Sequence, residues 1–292
     1  MRLTRVLLLL GAAGLAAGCG NVNAVLEKVS EARQLSADLV VQFTRASGAA
    51  DRAVMADTDD ASVAFARESR QASDAVQKDL GTLRPMLESL GFAEETRLLN
   101  EFANRFAEYR TLDQRILDLA VENTNLKAQR LAFGPAQDAA DAFRDALNAA
   151  TAAAGKEESA WHVQALAANA VRTVREIQVL QAPHIANADE AVMTRMEKEM
   201  ATSESAARKA IDALRPLLPP SAQGHLRTAT AALDRFADLN MQIIVLSRKN
   251  TNVRSLALSL DEKRKIATSC EESLQALQAA LAKRGFTNIR ER

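Results

Sequence analysis

Few residues in this sequence have the types and spacings that catalysis requires. The three histidines, His162, His184 and His225, are scattered and form no Glu-x-x-His pair, zinc-type cluster or haem attachment motif. Glycine-rich phosphate loops and nucleophile elbows are also missing from the sequence. We therefore expect no catalysis, metal or cofactor, and we interpret each histidine as a surface residue or a local cap.

The most unusual polar feature is an Asn-Thr-Asn triplet that occurs twice, beginning at Asn123 and at Asn250. Three–four spacing places these two asparagines in an apolar helical seam, with Thr124 and Thr251 in a second seam beside it. The last asparagine of each triplet is expected to point away from both seams. An unpaired buried amide costs about 1–3 kcal/mol, so these residues need a role. A register lock between helices is favoured, and a polar lining for a ligand pocket is the alternative.

Three other residues have simple interpretations. Cys270 lies in line with Leu274 and Leu277 on a helical stripe, which favours a small core residue over a reactive thiol. Trp161, the only tryptophan, is expected to plug the space between modules, with contact to a ligand or partner as the alternative. Arg130 follows the first triplet, and we expect its charged end to extend outward.

The composition predicts that helices position these residues. The 292 residues include 37 basic and 37 acidic side chains, but only 11 glycines and 6 prolines. Scarce turn residues and aromatics argue against a β-sandwich, and the balanced charge argues against a nucleic-acid partner. Apolar periodicity and breakers predict helices near 23–56, 60–90, 94–133, 135–153, 157–182, 187–218, 221–260 and 261–285.

The sequence also repeats itself. Residues 83–87 return 131 positions later as 214–218, and the pattern of residues 112–131 returns 127 positions later. Two matching blocks in the same order indicate an internal duplication. We therefore predict an all-α fold of two tandem up-and-down four-helix bundles, residues 19–155 and 156–292. One elongated, spectrin-type helical array is the alternative.

The first 18 residues have the pattern of a signal peptide. Arg2 and Arg5 precede an apolar run of about twelve residues, which is too short to span a bilayer. The segment that ends at Gly18-Cys19 resembles a bacterial lipobox, although Ala16 occupies the site where a larger aliphatic residue is usual. The resemblance implies cleavage before Cys19 and lipidation of Cys19. An ordinary cleaved signal and an uncleaved anchor are the alternatives.

A second resemblance involves the triplets and the residues that follow them. Asn123-Thr124, with Ala128 and Leu131 after them, looks like the later helices of four-helix-bundle sensory domains in bacterial chemoreceptors. Residues 250–258 match with Ser255 in place of the alanine. This resemblance implies an extracytoplasmic module that binds a small ligand or a binding protein. No second membrane span and no cytoplasmic signalling hairpin accompany it, so the chain could not pass a signal inward by itself.

These observations lead to a functional prediction. We expect a non-catalytic envelope lipoprotein that acts as a binding or sensing accessory and is held to the membrane through Cys19. The lipobox resemblance implies that an aspartate after Cys19 would favour retention in the inner membrane, so Gly20 at this position implies the periplasmic face of the outer membrane. Its partner is expected to be a small ligand or an envelope protein. A structural spacer or scaffold, and a carrier of an apolar molecule, are the alternatives.

Overall fold

A computed structural model describes residues 16–154 and 160–284 of the chain, with side chains from residue 23 onward. Within these ranges the ordered structure is helical and contains no strand, which confirms the all-α prediction. The predicted signal peptide lies almost entirely outside the described residues, and so does the side chain of Cys19. None of the described helices combines the length and the apolarity that crossing a membrane requires.

Ten α-helices follow one another along the described chain, and six of them have 25 residues or more. Their bounds are α1 Ala16–Met55, α2 Asp59–Ser89, α3 Ala93–Glu122, α4 Thr124–Leu131, α5 Gln137–Ala153, α6 Ala160–Ala186, α7 Glu190–Leu214, α8 Gln223–Lys249, α9 Thr251–Leu258 and α10 Arg264–Lys283. Five-residue π-helical turns join α4 to α5 and α9 to α10, at Ala132–Ala136 and Ser259–Lys263. A 3-10 turn, Arg215–Leu217, follows α7.

Local sequence accounts for the helix ends. Thr58 caps α2, because its Oγ1 accepts a hydrogen bond from the N–H of Ala61 over 3.2 Å. Asp189 caps α7 in the same way. Gly91 follows α2 with a φ of 68°, a conformation that a residue without a Cβ adopts easily.

One predicted break is wrong. The Gly134-Pro135 pair does not end a helix, because a π-helical turn absorbs the proline and continues the helical path. The break predicted after residue 182 is present but falls slightly later, since α6 includes Pro183 and ends at Ala186. The helical path is also interrupted at Asn123 and Asn250, where φ is 51° and 54°.

The chain forms two compact units that do not coincide with the predicted halves at 19–155 and 156–292. Counting only the described residues, unit 1 comprises those within Met1–Val121 and Ala257–Arg292, and unit 2 comprises those within Glu122–Leu256. The difference arises because each half contributes its fourth helix to the unit that contains the first three helices of the other half. Thus α10 belongs to unit 1, and α5 belongs to unit 2.

In unit 1 the helices α1, α2, α3 and α10 share one core. Its centre is aromatic: Phe43 meets Phe102 edge-on at 6.0 Å between ring centroids, and it meets Tyr109 at 5.1 Å. Cys270 is completely buried among these helices, as predicted. Truncating a buried phenylalanine typically costs about 3–5 kcal/mol, so this cluster is a main source of stability for the unit.

Unit 2 is built in the same way from α4 with α5, α6, α7 and α8. Its core contains many alanines, with Phe143 and Phe236 as the large side chains. Small residues in the core allow the helices to approach closely. The burial pattern also repeats: Leu39, Phe43 and Ala46 of α1 are buried, and so are Ala170, Val174 and Ile177 of α6, 131 positions later.

Candidate functional site

Both asparagines that open the triplets have left-handed backbone conformations. Asn123 ends α3 and Asn250 ends α8, with φ and ψ near 51° and 40° for the first and 54° and 37° for the second. Asparagine tolerates this region better than other residues with a Cβ. The expectation that these residues lie inside continuous helices is therefore wrong. They redirect the chain, and a short helix begins at the next residue.

The two threonines of the triplets pair with each other inside unit 2. The N–H of Thr124 donates to Oγ1 of Thr251 over 3.1 Å, and the N–H of Thr251 donates to Oγ1 of Thr124 over 3.2 Å. The two hydroxyl oxygens are 3.2 Å apart and share a third hydrogen bond. Both residues are at most 2% exposed. Each hydroxyl thus satisfies a free N–H at the start of the opposite helix.

The last asparagines of the triplets continue this pairing, contrary to the prediction that they point away. Asn125 is buried, and its N–H donates to Oδ1 of Asn252 over 3.1 Å. The N–H of Asn252 donates to Oδ1 of Asn125 over the same distance. Their amide groups then reach the first asparagines: Asn125 Nδ2 donates to Oδ1 of Asn250, and Asn252 Nδ2 donates to Oδ1 of Asn123. We call these six residues the triplet lock.

The lock is nearly symmetric, but one amide group breaks the symmetry. Asn250 Nδ2 donates to the carbonyl of Asn187 over 2.6 Å. Asn123 is fully buried, and its Nδ2 has no hydrogen-bond partner among the described residues. Each side-chain oxygen of the triplet lock accepts a hydrogen bond from another residue of the lock. The six residues therefore connect the starts of α4 and α9.

A buried histidine network lies elsewhere in unit 2. His184 is completely buried, so its interpretation as a surface or capping residue is wrong. Its Nδ1 is 2.8 Å from Oγ of Ser247, and its Nε2 is 2.8 Å from Oε1 of Glu197. Arg248 donates two hydrogen bonds to Glu197, over 2.7 and 2.9 Å. These bonds, with a smaller contribution from His184, lower the pKa of Glu197 despite partial burial.

Serine, histidine and glutamate are the residue types of a nucleophilic triad, but this arrangement does not expose its serine. Ser247 is completely buried, and its hydroxyl also contacts the carbonyl of His184 at 3.0 Å. A substrate has no access to the hydroxyl, so the network joins α6, α7 and α8 rather than forming a reactive site. Its signal in the sequence was the three–four step of His184 from Ile177 and Gln181.

A surface groove lies between α6 and α7 of unit 2, and no pattern in the sequence predicts it. It encloses about 710 Å³. Its apolar floor, as we call the two uncharged aliphatic residues in its lining, consists of Val179, which is 73% exposed, and Leu180. Its rim is charged and carries hydroxyl groups: Arg172, Arg175, Glu176, Arg195, Lys198, Glu199, Thr202 and Ser203.

Some of these charges are already paired. Arg172 binds Glu176, and Arg175 donates to Asp141 over 2.7 Å. Arg195, Lys198 and Glu199 make no side-chain hydrogen bond or ion pair with any described residue. The groove therefore offers two unpaired cations and one unpaired carboxylate above an apolar floor, within the size range of small-ligand pockets.

Unit 1 has a smaller groove at the equivalent position, where the charges neutralise one another. It encloses about 570 Å³ beside α1. Glu68, which corresponds to Glu199, accepts hydrogen bonds from Arg45 and Arg52, each over 3.0 Å. The hydrogen bond from Arg45 is the main reason why the pKa of Glu68 is lowered. In unit 2, Glu176 and Pro183 occupy the positions of the two arginines, so that this neutralisation is lost.

The other residues considered in the sequence analysis lie in environments that suggest no binding or catalytic role. Burial raises the pKa of the Cys270 thiol to about 12. Trp161 is 71% exposed and stacks on His162, so it does not plug a core in unit 2. His225 and Arg130 are exposed, as expected. Residues 16–154 and 160–284 contain no group of three histidine, cysteine or acidic side chains that could hold a metal ion.

Comparison with known proteins does not assign a function to these sites. No protein-family model matches the chain, and no curated protein matches it significantly.

Proposed function

We propose that the chain is an exported, lipid-anchored and non-catalytic module of the cell envelope that binds a small amphipathic anion in the α6–α7 groove. The single observation that carries the binding role is this groove, where Arg195 and Lys198 remain unpaired beside exposed Val179. We further infer that each compact unit is a four-helix bundle and that the two bundles arose by duplication. The resemblance to chemoreceptor sensory domains is consistent with a ligand-binding role.

The charge pattern defines the class of ligand. Two cations favour an anionic group such as a carboxylate or a sulfonate. The apolar floor favours a hydrocarbon or aromatic body, because binding would remove Val179 and Leu180 from water. The hydroxyls of Thr202 and Ser203 already donate to the carbonyl of Lys198 and to Glu176, over 2.8 and 3.1 Å, so the two cations are the groups that would hold the anion.

The groove is tested with 8-anilinonaphthalene-1-sulfonate, which combines a sulfonate with an aromatic body. Its fluorescence should rise with the native chain, and Lys198→Gln should weaken binding about three- to tenfold, by losing about 1 kcal/mol of charge attraction. Arg67→Gln is the matched control, since Arg67 occupies the equivalent position in unit 1. Val179→Asp should abolish binding. Equal affinities for all four proteins would reject the groove as the site.

The anchor is tested separately. Mass spectrometry of the chain from a bacterial envelope should find a lipidated amino-terminal Cys19, and Cys19→Ser should release the chain from membranes. An unmodified Cys19 in the mature protein would reject the lipoprotein assignment but leave the groove untouched.

A structural spacer is the second candidate function, and the triplet lock favours it. A ligand site lined by the triplets would leave polar groups of Asn123 or Asn250 facing a pocket, whereas their side-chain oxygens bind protein donors. A spacer predicts no saturable binding of the anionic probe, so the same titration separates the two candidates.

A further inference from the structure

A charged group is buried where α10 begins in unit 1. Lys263 is 2% exposed, and its Nζ is 2.9 Å from Oδ1 of Asp51 and 3.4 Å from Oδ1 of Asp113. Asp113 is 3% exposed and also accepts a hydrogen bond from Ser69 over 3.1 Å. The hydroxyl of Tyr109 lies 3.5 Å from the same carboxylate. Charges this deeply buried are rare unless they are paired.

A second buried carboxylate holds the other end of α10. Glu95 is 1% exposed and accepts two hydrogen bonds from Arg284, over 2.7 and 2.9 Å. Arg33 of α1 donates to the carbonyls of Leu281 and Arg284, over 3.1 and 2.8 Å. Both ends of α10 are thus fixed in unit 1 by charged groups that α1 and α3 provide.

Neutral residues replace three of these four charged residues at the equivalent positions of the other half of the sequence. Asn240 stands in place of Asp113, Ala222 in place of Glu95, and Ala136 in place of Lys263. Asn240 accepts a hydrogen bond from Gln181 over 2.9 Å, so its polar group has a neutral partner. A lysine brought to this place by another helix would find no carboxylate.

The spacing of the buried residues does not distinguish the two fourth helices. The buried positions Phe143, Leu147 and Ala150 of α5 correspond to the buried positions Cys270, Leu274 and Leu277 of α10. Each fourth helix therefore carries an apolar stripe of the same spacing, although the side chains in the two stripes differ in size. Either stripe has the spacing to cover either three-helix core, within one chain or between two copies of it, as in domain swapping.

We propose that the Lys263–Asp113 and Arg284–Glu95 pairs assign α10 to unit 1 and α5 to unit 2. With the helices exchanged, Asp113 would face Ala136 and Lys263 would face Asn240, so that buried charges would lose their partners. Burial already raises the pKa of Asp113 although Lys263 opposes the shift, so desolvation of this carboxylate is costly even when it is paired. The pairs therefore act against a wrong assembly that the apolar stripes would permit.

The test compares a neutralised chain with a matched control. The full-length variant Asp113→Asn, Lys263→Met, Glu95→Gln and Arg284→Gln removes both pairs. The control variant Arg70→Gln, Asp118→Asn, Arg208→Gln and Asp234→Asn removes two exposed ion pairs. Nitroxide labels at exposed positions 37 of α1 and 275 of α10 report whether α10 lies in unit 1, and light scattering reports association between copies.

The neutralised chain should remain helical but lose the single short label distance. That population should fall, because buried charges would no longer oppose the exchanged assembly, or dimers should appear. The control should keep one distance and stay monomeric. One unchanged short distance in a monomeric neutralised chain would overturn the proposal.

A second variant keeps the test decisive if the neutralised chain does not fold. The double variant Lys263→Ala with Ala136→Lys moves the lysine to the end of the π-helical turn that precedes α5, and it keeps the composition. A label at position 148 of α5, equivalent to 275, should then approach the label at position 37 in the same chain or in a second copy. Retention of the native distances would again contradict the assignment.

Discussion

Thr124 and Thr251 satisfy each other's free N–H groups, with the N–H of each residue donating to the hydroxyl of the other over 3.1 and 3.2 Å. Such reciprocity is the mark of a two-fold contact, here formed within one chain. It also explains why the triplet occurs twice, since each copy supplies the acceptors that the other copy needs.

The reciprocal hydrogen bonds predict that the effects of the two threonine substitutions on the free energy of unfolding do not add. Thr124→Val and Thr251→Val should each lower the free energy of unfolding by about 1–3 kcal/mol, because each leaves a buried N–H without its acceptor. The double variant should cost less than the sum of the two, by at least about 0.5 kcal/mol. Urea unfolding of all four chains measures this cycle. Thr228→Val, at an exposed site of α8, should have little effect, and strict additivity would contradict the lock.

The left-handed conformation of Asn250 predicts that glycine destabilises the protein less than alanine at this position, which is the reverse of their order inside a helix. Asn250→Gly and Asn250→Ala lose the same hydrogen bonds, but only alanine is strained at a φ of 54°. The glycine variant should therefore be more stable by about 1 kcal/mol, measured by urea unfolding. At exposed Asn148 inside α5, alanine should instead be the more stable by a similar amount. The same order at both positions would show that Asn250 is not left-handed in solution.

The sequence predicted the helices and their cores well, because three–four spacing reports directly on which positions are buried. The burial of Cys270 follows from this pattern. The same pattern runs through Asn123 and Asn250 without a change of step, so it hid the breaks and suggested helix interiors. It also carried no information on which unit receives each fourth helix, since the apolar stripes of α5 and α10 have the same spacing. The groove depends on side-chain pairing across α6 and α7, which spacing along one helix does not reveal.

The lowered pKa of Glu197 predicts an acid-sensitive contribution to stability. A carboxylate whose folded-state pKa lies below its usual 4.5 stabilises the fold above that pH, and the contribution is lost as the pH falls through the lowered value. Glu197→Gln should therefore cost about 2 kcal/mol at neutral pH, from its lost charged hydrogen bonds, and progressively less below about pH 4.5. Chemical unfolding at several pH values measures the difference. Glu199→Gln, two residues away and unpaired, is the control and should change stability little at any pH.

The pKa of Cys270, about 12, predicts that its thiol is inert in the folded protein. The thiolate is the reactive form, and a fully buried sulfur also excludes the reagent. In a Cys19→Ser chain, Ellman's reagent at pH 8 should modify Cys270 only as fast as the protein opens, and immediately in denaturant. Thr268→Cys, at an exposed position of α10, should react within the mixing time and so validates the reagent. Rapid modification of Cys270 in the native chain would mean that α10 leaves the core of unit 1 easily, and it would weaken the case for charge pairs that fix this helix.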